Sequence, residues 1–253
     1  MAINIIDPNA PGQEHVESYW ASTGGPEIAD ATPVSGDMEV DIAIIGGGYT
    51  GLSTALHLGR KFSVTSHVLE ANNIGWGCSG RNGGFATLGI GKTSMAGWIR
   101  RWGEVEARRI YDQSGDAVRL VRTLLGDEGI EADATPEGNL EIAHRPNRMR
   151  QLEHDQLFLE TRFGVRSRLL DRAELERSYL ISREAHGALL FENGFALHAL
   201  KYARGLARAA QRAGARLHAS SPVQGWARDG KRHVLITPGG KVRARQVVIA
   251  GNG

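Results

Sequence analysis

Residues 38–52 read MEVDIAIIGGGYTGL, and this stretch decides the fold. Its first half is an apolar run rich in β-branched residues, the pattern of a buried strand. The run stops at three glycines. From Tyr49 to about Leu58 the character changes: Leu52, Ala55 and Leu56 recur at helical spacing, with Tyr49 and Thr50 opening the helix. Phe62 to Leu69 then reads as a second strand ending at Glu70, although Ser66 and His67 interrupt its apolar run. Strand, helix and strand within roughly thirty residues make a β-α-β unit, whose strands are parallel and whose crossover is right-handed.

Within the turn, Gly46, Gly48 and Gly51 supply the G-x-G-x-x-G pattern, and each has a physical task. Gly46 permits the tight strand-to-helix turn, Gly48 lets a pyrophosphate approach the backbone, and Gly51 lets the helix pack close to the strand. A diphosphate placed there meets unbonded N–H groups and the positive end of the helix dipole. Glu70, about twenty residues on, can accept hydrogen bonds from both ribose hydroxyls of an adenosine and repels a 2′-phosphate. A chance glycine turn explains the pattern less well, because both the strand before it and the helix after it are in place. The motif also lacks the Gly-Lys-Ser/Thr ending of a nucleoside-triphosphate loop. Dinucleotide binding is therefore predicted. FAD and NAD both remain open at this point, since they share the adenosine diphosphate moiety that the motif grips.

After Glu70 and Ala71 comes IGWGCSGRNGGFATLGIG, residues 74–91. It holds too many glycines for a helix or a regular strand, so a long functional loop is predicted. Gly75, Gly77, Gly80, Gly83 and Gly84 leave backbone exposed, while Ser79, Arg81 and Asn82 add polar groups. A loop of this kind can wrap the flavin end of FAD; the alternative is a flexible surface loop. Arg81 can steady a phosphate or a substrate carboxylate, or be a solvated loop arginine. Cys78 is read as a small buried thiol rather than a point of cofactor attachment.

The remainder divides by character. Residues 1–37 read as an irregular arm with a helical turn near Glu14 to Trp20. A long helical region is expected from Thr93 to Leu125, broken near Gly103, with Trp98 and Trp102 as core or groove residues. Asn139 to Ala143 and Ala188 to Phe191 read as strands, Asn147 to Phe163 as a helix, and Asp171 as the N-cap of a short helix carrying Leu175. Leu197 to Ala213 is a strong helix that Gly214 suits as an end. A four-stranded β-meander is expected after it: Arg216 to Ala219, Val223 to Arg228, His233 to Thr237 and Val242 to Ala250, with Asp229-Gly230 and Pro238-Gly239-Gly240 in the turns.

Composition excludes several classes. A net charge of +2 is too small to argue for nucleic acid or an acidic membrane surface. A single cysteine allows neither an intramolecular disulfide nor a cysteine-rich zinc site, and no metal-ligand cluster or Ser-His-Asp arrangement is supported by spacing. The N-terminus lacks the basic start and apolar centre of a secretory signal, and no apolar run approaches the length of a membrane span. A cytoplasmic protein is expected.

Three segments together, GGGYTGLSTALHL, VLEANNIGWGCSGRNGGF and the late VVIAGNG, resemble the FAD-dependent amine oxidase (D-amino-acid oxidase-like) family, nearest to its gamma-glutamylputrescine oxidase-like members. The likeness covers residues 18 to 253, and its SGRNGG loop is more specific than the glycine fingerprint. It implies noncovalent FAD, oxidation of the C–N bond of an amine or amino acid to an imine, and reoxidation by O2 to give H2O2. By position, the resemblance places Glu70 on the ribose, and Ser79, Gly80, Arg81, Asn82 and Gly83 along the pyrophosphate and flavin. It also places the backbone of Val223 at the adenine, Ala250 and Gly251 beside the FAD, and His198 near the flavin. A histidine opening a helix is otherwise a cap or a packed residue. Ala199 departs from the proline usual after that histidine. The fold expected is α/β, a Rossmann-type FAD-binding domain (parallel sheet plus β-meander) with an incomplete α+β substrate domain. Residues 38–128 and 196–253 are expected to form the former and 129–195 the latter. Because family members continue past the position of Gly253, a truncated or split flavoprotein is the alternative to an independently active oxidase, with a missing C-terminal half as its partner. An NAD-dependent dehydrogenase is the lesser rival.

Overall fold

The computed structural model describes residues 14–89, 91 and 93–252. In chain order its first elements are α1 (Tyr19–Thr23), β1 (Met38–Ile45), α2 (Tyr49–Phe62), β2 (Ser66–Leu69), a 3₁₀ turn (Cys78–Gly80), β3 (Phe85–Ala86), α3 (Met95–Trp102) and α4 (Glu104–Asp127). There follow β4 (Asn139–Ile142), α5 (Pro146–Phe163), β5 (Ser167–Asp171), α6 (Arg172–Ser178), β6 (Gly187–Phe191), β7 (Phe195–Ala196), α7 (Ala199–Arg212), β8 (Arg216–His218), β9 (Gly225–Asp229), β10 (Arg232–Thr237) and β11 (Gly240–Ile249). They fall into two compact units. The first takes the described residues up to 84, Leu125–Asp133 and those from His198 onward; the second takes the described residues of Phe85–Leu124 and Ala134–Leu197.

The first unit is built on a six-stranded sheet ordered β8-β2-β1-β11-β10-β9. β1 lies between β2 and β11 and is parallel to both, with Ile44 opposite Val68 on one side and Val248 on the other. Burial follows: Ala43, Ile44 and Val68 are wholly enclosed, as the apolar run predicted. β2 begins only at Ser66, whose side chain is fully buried, so the polar interruption shortens the strand without shifting Glu70 from its end. α2 packs Leu52, Ala55 and Leu56 inward and lies close against α7, where a Cβ on Gly59 would fall 2.2 Å from the Ala213 carbonyl oxygen. α7 answers with a face of small residues, Ala203, Ala207 and Ala210, flanked by Leu200 and Leu206. A separate apolar cluster joins Val34 of the arm to Val40, Ala43, Leu69, Leu235, Val242 and Ala244.

The expected four-stranded meander is corrected to three strands. β9, β10 and β11 are antiparallel neighbours, but β8 pairs in parallel with β2 at the opposite edge of the sheet. The physical reason is the helix before it: α7 is a crossover, and a strand reached through a crossover helix joins in parallel. The helical turn of the arm also lies later than expected, over Tyr19–Thr23, because Ser18 caps it by accepting the Ala21 N–H at 3.2 Å.

In the second unit, β6 is the centre of an antiparallel sheet ordered β4-β6-β5, while β3 and β7 form a two-stranded ribbon. Leu170, Leu175, Ala185 and Ala188 form one core cluster, and Ala143, Leu152 and Leu189 another. Asp171 caps α6 as predicted, its carboxylate accepting the Glu174 N–H. The helical region breaks at Gly103, whose φ of +81° no helix accommodates. Trp98 is buried among Ala107, Phe163 and Val165, whereas Trp102 is exposed.

Candidate cofactor site

The glycine turn is pinned before it reaches the helix. The Gly46 N–H donates to Leu69 O at 2.8 Å and the Ala250 N–H donates to Ile45 O at 2.8 Å, so the ends of β2 and β11 hold it from both sides. Gly46 has a φ of +110°, and a Cβ there would lie 2.4 Å from Ala250 O. Only glycine fits. Gly51 faces the same turn from the helix, and its missing side chain lets α2 sit directly on the Gly46 carbonyl. Gly48 is the N-cap of α2 and carries no capping side chain of its own. Ser79 replaces it: the Ser79 hydroxyl accepts the Tyr49 N–H at 2.9 Å. No acidic residue occupies the first turn of α2, so nothing there opposes an anion at the positive end of the dipole.

Glu70 leaves β2 and turns back to the fingerprint. One carboxylate oxygen accepts the Gly47 N–H at 2.7 Å and the other accepts the Asn72 N–H at 3.0 Å. Its main chain is fixed as well, through Glu70 N–H to His218 O and Ser221 N–H to Glu70 O. Each carboxylate oxygen retains a lone pair, which is what a pair of ribose hydroxyls requires. Gly47 is thus a site residue that the fingerprint's spacing passes over, since it serves through its N–H. Ala71 follows, half-buried.

The 74–84 loop is held by its own side chains. Asn82 donates to Tyr49 Oη, Cys78 O and Ser79 O, and its carbonyl oxygen accepts the Gly84 N–H at 2.8 Å. Gly80 is enclosed, with Gly75 O 2.1 Å from where a Cβ would stand, while Gly83 is exposed. The Arg81 guanidinium lies 4.2 Å from the Trp76 ring centre and donates to Trp76 O. Tyr49 turns its phenol to Ala199 O at 2.9 Å, and burial pushes that phenol up to about 12. Tyr49 therefore reaches the turn through its backbone, and Thr50 is exposed beside it. The expected burial of Cys78 is corrected: the thiol is exposed, because the turn it begins lies on the surface of the loop.

The later residues divide. Ala250 and Gly251 stand against Gly46, as the close approach above requires. Val223 packs half-buried on the cluster beneath the sheet. His198 is enclosed as the N-cap of α7: Nδ1 accepts the Lys201 N–H at 3.2 Å, and Nε2 lies 2.9 Å from Thr23 Oγ1. Trp20 meets the ring edge-on at 4.9 Å. Burial, and then Lys201, lower its pKa, so the imidazole is neutral at pH 7. Both ring nitrogens are thereby committed within the fold. Among the described residues no cluster of three or more His, Cys, Asp or Glu side chains is placed to hold a metal, and no helix is long and apolar enough to cross a membrane.

Four parallel strands within the sheet, a glycine turn under a helix N-terminus and a carboxylate at the end of the next strand define a dinucleotide-binding protein of the Rossmann type. Comparison with known proteins narrows this. Residues 41–253 match the profile of the FAD dependent oxidoreductase (DAO) family, and the chain belongs to that family. It is 32% identical over 240 residues to the gamma-glutamylputrescine oxidoreductase of Escherichia coli K12, across 94% of this chain and 55% of that protein. Among solved structures, glycine oxidase from Geobacillus kaustophilus superposes with a TM-score of 0.65 at 25% identity, covering 84% of this chain and 55% of that one. Glycine oxidase from Bacillus cereus shares the fold, with a TM-score of 0.64 at 24% identity and the same two coverages, 84% and 55%. The chain thus spans about half the length of the relatives it matches.

Proposed function

We propose that this chain is the FAD-binding part of an oxidase acting on the C–N bond of an amine or amino acid, with gamma-glutamylputrescine-like substrates the leading class. The observation that carries the proposal is the Glu70 carboxylate bonded to the Gly47 N–H across the glycine turn, because it sets a ribose acceptor beside a diphosphate cradle. The residues present suit FAD on chemical grounds: a helix N-terminus with no acidic residue in its first turn, lone pairs at Glu70, and a glycine-rich loop offering main-chain N–H groups.

Each residue then has a task. The N–H groups of the first turn of α2, with no carbonyl a turn back to bond, bind the pyrophosphate. Gly48 leaves room for that approach, and Ser79 gives up or shares the Tyr49 N–H. Glu70 takes the ribose hydroxyls, and the main chain of Val223 borders the adenine. Ser79, Gly80, Arg81, Asn82 and Gly83 carry the loop toward the flavin, with Ala250 and Gly251 flanking the turn. FAD held there would supply the redox chemistry, a two-electron oxidation of the substrate C–N bond with O2 as the final acceptor and H2O2 as its product. The substrate leaves as an imine, which water converts to an aldehyde or oxo acid and ammonia or an amine. An amine that arrives neutral needs no base, and none is assigned; His198 is assigned to the cap of α7.

We assign cofactor binding to the first unit and the beginnings of substrate recognition to residues 129–195, in a cytoplasmic setting that suits a lone thiol. Since the chain spans about half of its relatives' length, a second reading is favoured by that same fact: binding resides here, and turnover needs the remaining length in the same or a separate chain. The test is an absorbance spectrum after incubation with FAD and desalting. Bands near about 375 and 450 nm support the proposal, and their bleaching by an amine under anaerobic conditions supports turnover. Retention of NAD with no yellow colour would overturn it.

A further inference from the structure

The family match begins at residue 41, yet residues 14–27 are bound across the cofactor loop and α7 by an ordered series of contacts. Glu14 O accepts the Trp76 indole N–H at 2.8 Å, and Glu27 accepts Asn73 Nδ2 at 2.9 Å. Between them, Gly25 O accepts Arg204 at 2.5 Å, Pro26 O accepts Arg208 at 3.1 Å, and Thr23 meets the ring of His198. Arg204 is buried, so the arm covers it rather than brushing a solvated side chain. The two contacts at the ends fall on one loop, residues 73–81. That loop is also what completes the fingerprint: the Gly75 N–H donates to Gly47 O at 3.0 Å, and Ser79 accepts the Tyr49 N–H.

Trp76 is the hinge of this arrangement. Its indole N–H is held by the arm, its ring carries the Arg81 guanidinium, and its carbonyl accepts from the same guanidinium. Only 7% of the residue is exposed. The indole N–H has one bond to make and makes it to a carbonyl of the arm, so moving the arm leaves that donor buried and unpaired or turns the ring. Turning the ring displaces Arg81, and with it the loop segment that carries Ser79.

We propose that residues 14–27 are a strap that holds the 73–82 loop in its cofactor-binding conformation, with Trp76 as the positioning residue through which it acts. This rests on FAD being the ligand of the glycine turn. The loop is set before the cofactor arrives, so the strap acts by preorganisation: it removes alternative loop conformations from the free protein, and FAD affinity rises accordingly. The strap works from outside the site and touches none of the atoms assigned to the pyrophosphate or ribose.

The experiment compares the unaltered chain with Trp76→Ala, Trp76→Phe and Glu27→Ala, by FAD titration, visible circular dichroism of bound flavin and thermal melting without FAD. Trp76→Ala, losing a hydrogen bond and a stacked cation each worth about fivefold, is expected to raise the FAD Kd about twenty-five-fold. Trp76→Phe keeps a ring for Arg81 and is expected to recover part of that loss, to about fivefold above wild type. Glu27→Ala removes the acceptor of Asn73 Nδ2 and the carboxylate 3.6 Å from buried Arg204, and is expected to raise Kd about threefold to fivefold, by more than any fall in its apo melting temperature accounts for. The flavin dichroism shifts in all three, since a displaced loop changes the ring's surroundings. Wild-type affinity and dichroism in Trp76→Phe and Glu27→Ala overturn the strap, as does weaker binding that merely tracks a lower apo melting temperature. A wild-type chain that binds no FAD removes the reading beneath it, and is seen before any variant is compared.

Discussion

Gly51→Ala isolates the close approach of α2 to the turn before it. An ideal Cβ at Gly51 falls 1.9 Å from Gly46 O and 3.3 Å from Ile44 Cγ2. Gly46 cannot move aside, because its N–H is bonded to β2 and its Cα faces Ala250 O at the end of β11. The helix must therefore retreat by roughly 1 Å or more to reach ordinary van der Waals separation, and gaps of that size forfeit a quarter to a half of each dispersion contact. Leu52, Ala55 and Leu56, all fully buried, lie on the retreating face. Overpacking of this kind and the contacts that the retreat loosens together cost about 3 kcal/mol, against roughly 1 kcal/mol regained from alanine's helix propensity. A net loss near 2 kcal/mol lowers the melting temperature by about 4–8 °C for a chain of this size. Gly48→Ala is the partner measurement. At a φ of −88° alanine is unstrained, and its methyl meets only the rotatable Ser79 hydroxyl, at 2.8 Å. Stability should fall by no more than about 1 kcal/mol, as for a weakened N-cap, while FAD affinity falls sharply because the methyl stands where the pyrophosphate approaches. Calorimetry without FAD and fluorescence titration with it read the two effects separately. Gly51→Ala melting at or above wild type, or Gly48→Ala losing the more stability of the two, would refute the reasoning.

Other perturbations test neighbouring contacts. Glu70→Gln brings an amide donor against the Gly47 or Asn72 N–H and removes the charge that the ribose hydroxyls meet, so FAD Kd should rise roughly tenfold to a hundredfold; an unchanged titration would contradict the ribose assignment. His198→Ala should cost about 1 kcal/mol through the lost cap and leave the spectrum of bound flavin as in wild type, whereas a changed spectrum would return His198 to the flavin. The stacked pair His67 and His218 predicts a pH dependence. His218 Nδ1 lies 3.3 Å from Thr32 O and so carries a proton, leaving its Nε2 to accept from His67 Nδ1 at 3.0 Å. Burial, followed by the neighbouring His218 and Arg216, lowers the His67 pKa from 6.5 to about 4. The unfolded chain binds the proton first, so this contribution is whole above about pH 6.5 and is lost as pH falls toward 4. For a half-buried ring the loss is about 1–2 kcal/mol after solvent screening. Denaturant midpoints that stay flat from about pH 6.5 to 4.5, or that fall just as steeply in His67→Asn, would count against it.

What was legible in the sequence is what short-range geometry decides. β1, the glycine turn, α2 and Glu70 are consecutive, and each reports itself through period or residue type: β-branched residues for a buried strand, glycines for the turn, i and i+4 apolar residues for the helix. The break at Gly103 and the Asp171 cap were readable for the same reason. β8 was not, because Arg216–His218 carries no mark that distinguishes a parallel neighbour of β2 from the first strand of a meander; its partner is set by α7 and by a pairing about 150 residues away in the chain. β5 and β7 were missed likewise. Ser167–Asp171 follows a helix end and precedes a cap, and its strand character comes from pairing with Leu189 and Leu190. At the site, Ser79 was expected as a polar liner of the loop; that its hydroxyl caps α2 depends on a contact across 30 residues.

The arm shows a different limit. Residues 1–37 have no apolar period, and the pattern reads as irregular because the contacts that fix residues 14–27 are made largely by main-chain oxygens: Glu14 O, Gly25 O and Pro26 O. A carbonyl is present at every residue, so no side-chain pattern records which ones are used. The information sits on the other side of each contact, in a buried arginine on α7 and a buried tryptophan in a glycine-rich loop, both of which look misplaced until a partner is supplied. Arg204 falls among alanines and leucines on the packed face of α7, where a charge with no acceptor is costly. Trp76 falls in a loop made mostly of small and polar residues. Buried polar groups must be satisfied, so two such residues on neighbouring elements already imply that a third segment supplies acceptors to both. An unpatterned arm can thus be located from the buried donors it has to cover, even where it lies ahead of the residues that the family profile matches.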